Sequence, residues 1–336
     1  MSQAKVIVVG AGVAGLVTAL ELAERGCAVE VIERGRALGD GCCSWQAGGM
    51  LAPWCERATT EPVVVTRGVP SIDWWVKHFP GTVRKGSLVL APPRDQVDLT
   101  RFAERTERYE WIDGDRIAAL EPDLAGRFRR ALFFPDEGHL TPRLALAALE
   151  ERLSKLGVPI RYGTEAPANP SADYLIDCRG LAARDRLVDL RGVRGEMLVI
   201  RSRDVSLARP VRLLHPRIPL YIVPRGDGVF MIGATMIESE ERRGPSVRST
   251  VELLNAAYTL HPAFGEAEIV ELGADLRPAF PDNLPAVRRK GTIFYVNGLY
   301  RHGFLLAPAL AREVADAISL ETSERSDADL RQRRSA

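Results

Sequence analysis

The sequence predicts an α/β protein in which a β-rich, antiparallel-sheet domain is inserted into a Rossmann-type domain. Near the N-terminus, the stretch "VIVVGAGVAGLVTALELAERGCAVEVIER" contains a strand, a glycine-rich turn, a helix and a second strand. A strand that ends in a glycine turn recurs in "YLIDCRG" and, late in the chain, in "GTIFYVNG". Between these segments the apolar residues follow the pattern of antiparallel strands. These three observations predict a nucleotide-binding domain assembled from separated segments.

The N-terminal stretch predicts a complete βαβ unit. Val6 to Val9 are apolar and β-branched, which is typical of a buried parallel strand. Apolar residues recur at helical spacing from Val13 to Arg25, and Gly26 ends that helix. Ala28 to Ile32 form the second strand. Such a unit is right-handed in nearly every case.

Two more helices and a hairpin are predicted further along the chain. "TPRLALAALEERLSKLG" predicts a helix that Thr141 caps and Gly157 ends, and "APALAREVADAI" predicts a last helix. "LYIVPRGDGVFMIGAT" predicts two strands joined by a glycine turn. "GSLVLAP" and "RGEMLVIRS" predict further antiparallel strands.

These elements predict two domains and a tail. The Rossmann-type domain comprises residues 1–80, 135–185 and 288–320, and the substrate domain comprises residues 81–134 and 186–287. Residues 321–336 are charged and nearly devoid of apolar groups, which predicts a flexible tail.

Composition excludes several classes of function. A net charge of +1 over 336 residues lacks the basic excess of a nucleic-acid-binding protein. No apolar run approaches the roughly 20 residues that span a bilayer. The N-terminus enters a strand directly and lacks a secretory signal, and an odd count of five cysteines suits a reducing compartment. We therefore expect a cytoplasmic protein. Cys42, Cys43 and Cys55 fit no zinc pattern, so no metal is expected.

Gly10, Gly12 and Gly15 form a G-x-G-x-x-G motif between the first strand and its helix. The glycines permit a tight turn and the close approach of a pyrophosphate to the backbone, and the helix N-terminus supplies partial positive charge. Glu33 ends the second strand, where a carboxylate accepts hydrogen bonds from a ribose. The motif predicts dinucleotide binding; the alternative is a glycine turn without a ligand. The small residues of "GDGCCSWQAGGMLAPWCE" favour FAD over NAD.

Four stretches of the chain resemble the glycine oxidase family of thiamin biosynthesis, in the D-amino-acid oxidase group. They are "CSWQAGGMLAPWCE", "LYIVPRGDGVFMIGATM", "LRPAFPDNLPAV" and "GLYRHGFLLAPA". The resemblance implies a non-covalently bound FAD, a homotetramer, and a thiazole synthase as a possible partner. A departure occurs at Pro219, where the family carries a histidine two residues before a tyrosine.

The resemblance also implies which residues contact the flavin. They lie in the glycine turn, at the end of the second strand, along the small-residue stretch and before the last helix. The set is Gly10, Gly12, Val13, Ala14, Gly15, Glu33, Arg34, Cys43, Ser44, Gly48, Gly49, Met50, Ala166, Gly180, Leu299, Tyr300, Arg301, His302, Gly303, Phe304 and Leu305.

Four residues match the family's substrate site. Arg277 in "LRP" matches the arginine that binds the substrate carboxylate; otherwise it is a surface arginine. Tyr221 matches a tyrosine whose hydroxyl approaches the substrate; otherwise it belongs to the core. Arg301 matches an arginine beside the flavin and the substrate. Met236 matches a residue that lines a small pocket, with a core methionine as the alternative.

The implied activity is oxidation of glycine by hydride transfer from Cα to the flavin N5. The products are glyoxylate, ammonia and hydrogen peroxide with oxygen as the acceptor, and the imine is a precursor of the thiazole of thiamin. Two alternatives stay open. One is an oxidase or dehydrogenase for sarcosine or D-amino acids on the same fold, and the other is a flavin-binding scaffold without amine chemistry.

Overall fold

The computed structural model describes residues 3–167, 171–214 and 220–334. It divides the chain into two compact units. The first unit comprises Met1–Trp45, Arg143–Arg191 and Pro278–Ala336, and the second comprises Gln46–Pro142 and Gly192–Arg277.

The chain forms these helices and strands. The helices are α1 (Val13–Glu24), α2 (Pro53–Glu56), α3 (Pro62–His78), α4 (Gln96–Ala103), α5 (Gly114–Leu120), α6 (Pro142–Lys155), α7 (Val247–Leu260) and α8 (Gly303–Arg334). The strands are β1 (Lys5–Val9), β2 (Ala28–Ile32), β3 (Met50–Leu51), β4 (Ser87–Leu90), β5 (Glu110–Asp113), β6 (Arg130–Phe134), β7 (Gly138–His139), β8 (Ile160–Arg161), β9 (Tyr174–Asp177), β10 (Arg191–Arg201), β11 (Val211–Leu213), β12 (Leu220–Gly226), β13 (Val229–Gly233), β14 (Glu268–Ala279), β15 (Ala286–Lys290) and β16 (Ile293–Asn297).

In the described part of the first unit, a six-stranded sheet has the order β15-β16-β9-β1-β2-β8. Its strands pair in parallel except β15, which is antiparallel to β16. β1, α1 and β2 are the predicted βαβ unit. Leu16, Ala19 and Leu20 of α1 are completely buried, and α1 packs along α8. The Rossmann-type arrangement predicted from the apolar pattern is therefore confirmed.

In the described part of the second unit, an eight-stranded sheet has the order β14-β10-β13-β12-β11-β4-β6-β5. β13 pairs antiparallel with β10 and β12, β12 with β11, and β6 with β4 and β5, whereas β4 and β11 are parallel. β12 and β13 are the predicted hairpin, and its turn places Asp227 at φ 51° between Gly226 and Gly228. Leu253, Ala257 and Leu260 of α7 belong to the same buried cluster as Ile222 and Phe230 of the sheet. This β-rich unit confirms the predicted α/β class with a second, largely antiparallel sheet.

The boundaries of the compact units differ from those of the predicted domains. The predicted boundaries follow residues 80, 134, 185 and 287, whereas the units exchange after Trp45, Pro142, Arg191 and Arg277. In particular, α3 belongs to the second unit, where it packs on α2 and β3. The sequence of α3 does not indicate which sheet the helix packs against, so its unit could not be predicted.

The sequence predicts a flexible tail over residues 321–336, whereas α8 continues as a helix through Arg334. The stretch lacks glycine and proline and contains four Arg and two Glu residues, which have high helix propensity. Extending an existing helix needs no new nucleus, so few apolar residues are required. In the described residues, no helix is long and apolar enough to cross a bilayer. No cluster of potential metal ligands is found among them either.

Candidate active site

The glycine turn of the first unit leaves no room for side chains. Gly10 has φ 107°, a conformation that L-residues rarely adopt. A Cβ at Gly15 would lie 1.8 Å from the carbonyl oxygen of Gly10. A Cβ at Gly12 would lie 3.2 Å from Cys42 Sγ and 3.4 Å from Ser44 Oγ. Gly10 and Gly15 are thus needed for the turn and for the packing of α1 against it, whereas a Cβ at Gly12 would make tight contacts only with two side chains.

Glu33 is bound to the backbone of the same turn. Its Oε2 accepts a hydrogen bond from Ala11 N at 2.7 Å, and its Oε1 accepts one from Gly35 N at 2.7 Å. A carboxylate oxygen has two acceptor lone pairs, so each oxygen keeps capacity for a ribose hydroxyl. Thr164 N donates to the Glu33 carbonyl at 3.0 Å, which brings the segment leading to Ala166 beside the strand end. Arg34 is exposed.

The segment after β2 returns to the helix N-terminus. Ser44 Oγ accepts a hydrogen bond from Val13 N at 3.2 Å. Cys43 and Ser44 begin a short 3-10 helix that ends at Gln46. The structure therefore brings Ser44 to the glycine turn, together with Cys42, and Cys43 lies between them in the chain.

A second helix N-terminus lies beside the first. A Cβ at Gly303, the first residue of α8, would lie 3.4 Å from Val13 Cγ1. The first N–H groups of each helix have no partner in their own helix and carry partial positive charge. Two adjacent helix N-termini and a turn without side chains fit an anionic dinucleotide. The predicted contacts Val13, Ala14 and Gly303 lie in these first turns.

Asn297 connects two of the predicted contact segments, and the sequence analysis did not single it out. Its Nδ2 donates to the Gly180 carbonyl at 2.9 Å, and its Oδ1 accepts from Gly298 N at 2.8 Å. Tyr300 follows with φ 46°, and its N–H donates to the Pro278 carbonyl at 2.9 Å. A polar residue at the end of a buried strand, directly before a glycine, is the signal that could have identified Asn297. Half-buried Arg301 follows in the same turn.

Arg277 is half-buried on β14 of the second unit. Its Nη1 donates to the Thr235 carbonyl at 3.0 Å. A Cβ at Gly195 would lie 2.1 Å from Nη2 and 2.3 Å from Cζ, so the guanidinium lies directly over Gly195. Leu276 and Phe280, predicted to make its setting buried, are 5% and 2% exposed.

Tyr221 packs against two glycines of the second unit. A Cβ at Gly48 would lie 2.8 Å from its Cε2 and 3.3 Å from its hydroxyl oxygen, and a Cβ at Gly233 would lie 3.0 Å from its ring. The side chain is half-buried rather than enclosed in the core. Gly233 and Thr235 are two residues apart, so Tyr221 and Arg277 contact the same short stretch of chain. Pro219 lies outside the described residues.

Arg225 holds the small-residue stretch in place, and the sequence analysis did not assign it a role. Its Nη1 donates to the Leu140 carbonyl at 2.7 Å, and its Nη2 donates to the carbonyls of Ala47 at 3.1 Å and Gly48 at 2.8 Å. Gly49, at φ 73°, is the next residue, and Met50 begins β3. An arginine at the end of a buried strand is the sequence signal for such a role.

A buried ion pair fixes the strand beneath Arg277. Arg194 Nε donates to Glu196 Oε1 at 2.8 Å, and their side chains are only 4% and 2% exposed. Burial alone raises the pKa of Glu196, but hydrogen bonds from Ser249 and Arg194 bring its pKa below the usual value. The carboxylate is therefore ionised and paired.

Arg194 also holds the segment that follows Thr235. Its N–H and carbonyl bridge to Ile237, and its Nη2 donates to the Arg243 carbonyl at 2.8 Å. Glu196 N donates to Thr235 Oγ1 at 2.9 Å. Met236 is 46% exposed, which rules out the alternative of a core methionine.

Comparison with known proteins identifies the family of this chain. The family described as FAD dependent oxidoreductase matches residues 5–317. A putative thiamine biosynthesis oxidoreductase ThiO of Rhizobium etli is 54% identical over 95% of this chain and 98% of its own. The crystal structure of glycine oxidase from Geobacillus kaustophilus matches with a TM-score of 0.77 and 27% identity, over 94% of each chain. A bifunctional protein ThiO/ThiG of Synechocystis is 25% identical over 93% of this chain and 51% of its own. The chain belongs to the FAD dependent oxidoreductase family, in the group of ThiO and the glycine oxidases, and FAD is its cofactor.

Proposed function

We propose that this chain catalyses the oxidative deamination of glycine, in which glycine, O2 and water yield glyoxylate, ammonia and hydrogen peroxide. The observation that carries the proposal is the half-buried guanidinium of Arg277, which uses only Nη1 for a hydrogen bond to Thr235 among the described residues. The similarity to a ThiO and to glycine oxidases supports the same substrate.

We propose the first unit as the FAD-binding domain and the second as the substrate domain. Gly10, Gly12, Gly15 and Glu33 would hold the dinucleotide, together with the other residues that the family resemblance implies. When bound, FAD would supply the acceptor for the hydride of the substrate Cα and the electrons that reduce oxygen. Binding is proposed to be non-covalent, so denaturing the holoenzyme releases all flavin into the supernatant after the protein is precipitated.

Arg277 is proposed to bind the substrate carboxylate. An arginine donates two parallel hydrogen bonds to a carboxylate, and both are strengthened by charge. The Nε–Nη2 edge of Arg277 keeps this capacity, because Nη1 alone makes a hydrogen bond within the described residues. Two bonds fix the carboxylate in one plane, and therefore restrict where the Cα–H bond points.

Tyr221 is proposed to supply a hydroxyl to the same substrate. Its ring lies against Gly48 and Gly233, so the hydroxyl is directed by packing rather than by its own flexibility. Met236 is proposed to limit the space beside Cα, and Arg301 is proposed as a second residue that binds the substrate. These residues chiefly orient the substrate, since correct placement alone supplies a large share of rate acceleration.

The test is an anaerobic titration of the holoenzyme with glycine, sarcosine and D-alanine while the flavin absorbance is followed. We expect glycine to bleach the flavin, and oxygen to restore the colour with release of one peroxide per glycine. Rapid bleaching by D-alanine without bleaching by glycine would reject glycine as the substrate. A flavin that none of the three amines bleaches would instead indicate a scaffold.

Arg277→Ala and Arg248→Ala form a matched pair for this assay, because Arg248 is an exposed arginine on α7. We expect Arg277→Ala to lower kcat/KM for glycine at least roughly 100-fold, as both charge-assisted bonds are lost. Arg248→Ala keeps the wild-type value. Equal activity of the two variants contradicts the assignment of Arg277.

We further propose a homotetramer and transfer of the imine to a thiazole synthase. The similarity to part of a ThiO/ThiG protein supports a link between two such activities. Light scattering of the holoenzyme tests the tetramer. For transfer, thiazole formation is compared between mixed enzymes and enzymes separated by a dialysis membrane, and equal yields argue against direct transfer.

A further inference from the structure

We propose that Gly195 is a positioning residue for Arg277 and, through it, determines the preference of the site for ligands that carry a carboxylate. This inference rests on the proposed role of Arg277. Gly195 acts by what it lacks, since its missing side chain leaves the space in which the guanidinium lies.

The distances show that the guanidinium faces Gly195 with its flat side. A Cβ at Gly195 would lie 2.3 Å from Cζ, 2.1 Å from Nη2 and 2.7 Å from Nη1 of Arg277. All three atoms are closer than any real Cβ contact, so the added carbon would meet the centre of the group rather than one tip. The guanidinium therefore rests on the backbone of β10.

The backbone of Gly195 itself would accept a side chain. Its φ lies outside the left-handed region in which other residues are strained. Glycine within a strand is otherwise unfavourable, because it weakens the strand and packs nothing. Contact with Arg277 is thus the observed reason for glycine at this position.

The neighbours of Gly195 fix the height and the direction of the guanidinium. Side chains alternate along a strand, so Arg194 and Glu196 point away from Arg277 and form their ion pair on the opposite side. Glu196 N holds Thr235 through its hydroxyl, and the Thr235 carbonyl accepts from Arg277 Nη1. Two backbone features therefore orient the guanidinium: the backbone of Gly195, which has no side chain, and the carbonyl of Thr235.

A methyl group at position 195 must lift or tilt the guanidinium, because the arginine is the flexible partner. A tilted fork presents one N–H to a carboxylate instead of two, and the geometry of the parallel pair is lost. The cost falls on binding of the carboxylate and not on binding of FAD or on the amine.

The test compares Gly195→Ala with Gly244→Ala in the holoenzyme. Gly244 also lies in the second unit outside the left-handed region, and a Cβ there meets nothing within 4 Å. We measure KM and kcat for glycine, the Kd of glycolate from the flavin absorbance, the FAD content and the melting temperature. Glycolate carries the carboxylate without the amine, so its Kd reports on Arg277 alone.

We expect Gly195→Ala to raise the KM for glycine and the Kd for glycolate in parallel, by roughly 10- to 100-fold, as one charge-assisted bond is lost. FAD content and kcat stay within about 3-fold, as for a change confined to carboxylate binding. Gly244→Ala matches the wild type in every measurement. An unchanged Kd for glycolate in Gly195→Ala overturns the proposal.

A double variant separates positioning from a general structural role. In the Arg277→Ala background the space over residue 195 is empty, so adding Gly195→Ala changes neither the Kd for glycolate nor the melting temperature. If Gly195→Ala alone fails to retain FAD and the double variant fails too, Gly195 does not act through Arg277. A wild-type flavin that glycine does not bleach rejects the proposed function, while the glycolate measurements still decide the role of Gly195.

Discussion

The carboxylate of Glu33 and the guanidinium of Arg277 differ in how much of their hydrogen-bonding capacity the fold uses. Both oxygens of Glu33 accept from backbone N–H groups of the first unit, Ala11 N and Gly35 N. Arg277 has five N–H donors. Within the described residues of the second unit only Nη1 makes a hydrogen bond, to the Thr235 carbonyl.

The two residues therefore differ in structural role: Glu33 stabilises the turn in which it lies, whereas most donors of Arg277 are not used by the fold. Removing Glu33 deprives a tight turn of two acceptors, so the turn changes whether or not FAD is present. Removing Arg277 deprives the fold of one hydrogen bond and, if the proposed role holds, deprives the substrate carboxylate of its donor. Changes at the first residue should therefore affect folding and cofactor together, and changes at the second should affect the substrate alone.

The largest effect is expected for Gly15→Ala, which tests whether the turn at Glu33 is the less tolerant region. The added Cβ would lie 1.8 Å from the Gly10 carbonyl oxygen. That oxygen belongs to the backbone directly after β1, and Gly15 lies within α1, so neither group can move aside easily. We expect the variant to lose FAD and to be destabilised by at least about 3 kcal/mol, since overpacked cores resist such insertions. FAD content and urea unfolding measure this, with Gly244→Ala as the control. Wild-type FAD content in Gly15→Ala would contradict the tight packing.

Arg277→Lys is expected to have the next largest effect and to leave the fold intact. Lysine keeps the charge but cannot donate two parallel bonds from a planar fork. We expect kcat/KM for glycine to fall roughly 100-fold, while FAD content and the melting temperature stay at wild-type values. Steady-state kinetics test this against Arg248→Lys. A matching loss of FAD would show that Arg277, like Glu33, supports the fold.

Glu33→Gln should weaken both folding and FAD binding by about 1–3 kcal/mol, because an amide nitrogen cannot accept the hydrogen bond of a backbone N–H. One of the two N–H groups that Glu33 now binds is then left without this acceptor. Urea unfolding of the apoprotein and titration with FAD measure the two effects separately. An apoprotein as stable as the wild type, with weakened FAD binding alone, would break the contrast drawn between Glu33 and Arg277.

The smallest effect is expected for Thr235→Val, compared with Thr235→Ser. Valine keeps the shape of threonine but removes the Oγ1 that accepts from Glu196 N at 2.9 Å, whereas serine retains it. We expect Thr235→Val to raise the KM for glycine about 5-fold through a less firmly held carbonyl, in line with about 1 kcal/mol for one hydrogen bond. Thr235→Ser stays near the wild type. Equal KM values for the two variants would show that this contact does not support Arg277.

Local patterns allowed the first unit to be predicted from the sequence. The βαβ unit, its glycine turn and Glu33 lie within a short stretch of chain, so strand, helix and acid can be identified together. The fold class, the family and the cofactor were confirmed, whereas the roles of the individual site residues stay predictions.

Contacts between distant parts of the chain could not be predicted in this way. A glycine in a strand indicates close approach by something, but nothing in "RGEMLVIRS" indicates that Arg277 approaches Gly195. The partners of Arg225 are likewise carbonyls, which no side-chain pattern reveals. The continuation of α8 to Arg334 has a local cause, because residues 321–334 contain no glycine or proline that would end the helix.

Arg225 shows how one side chain can anchor two segments through their backbones alone. It donates to the carbonyl oxygens of Leu140, Ala47 and Gly48, and every amino acid supplies a carbonyl oxygen. This anchor therefore depends on the side chain at position 225 and not on those at positions 47 and 140, although Leu140 is itself completely buried. A change at Arg225 removes all three bonds at once and leaves the segments joined by the pairing of β3 with β7 and by the bond from Leu140 N to the Gly49 carbonyl.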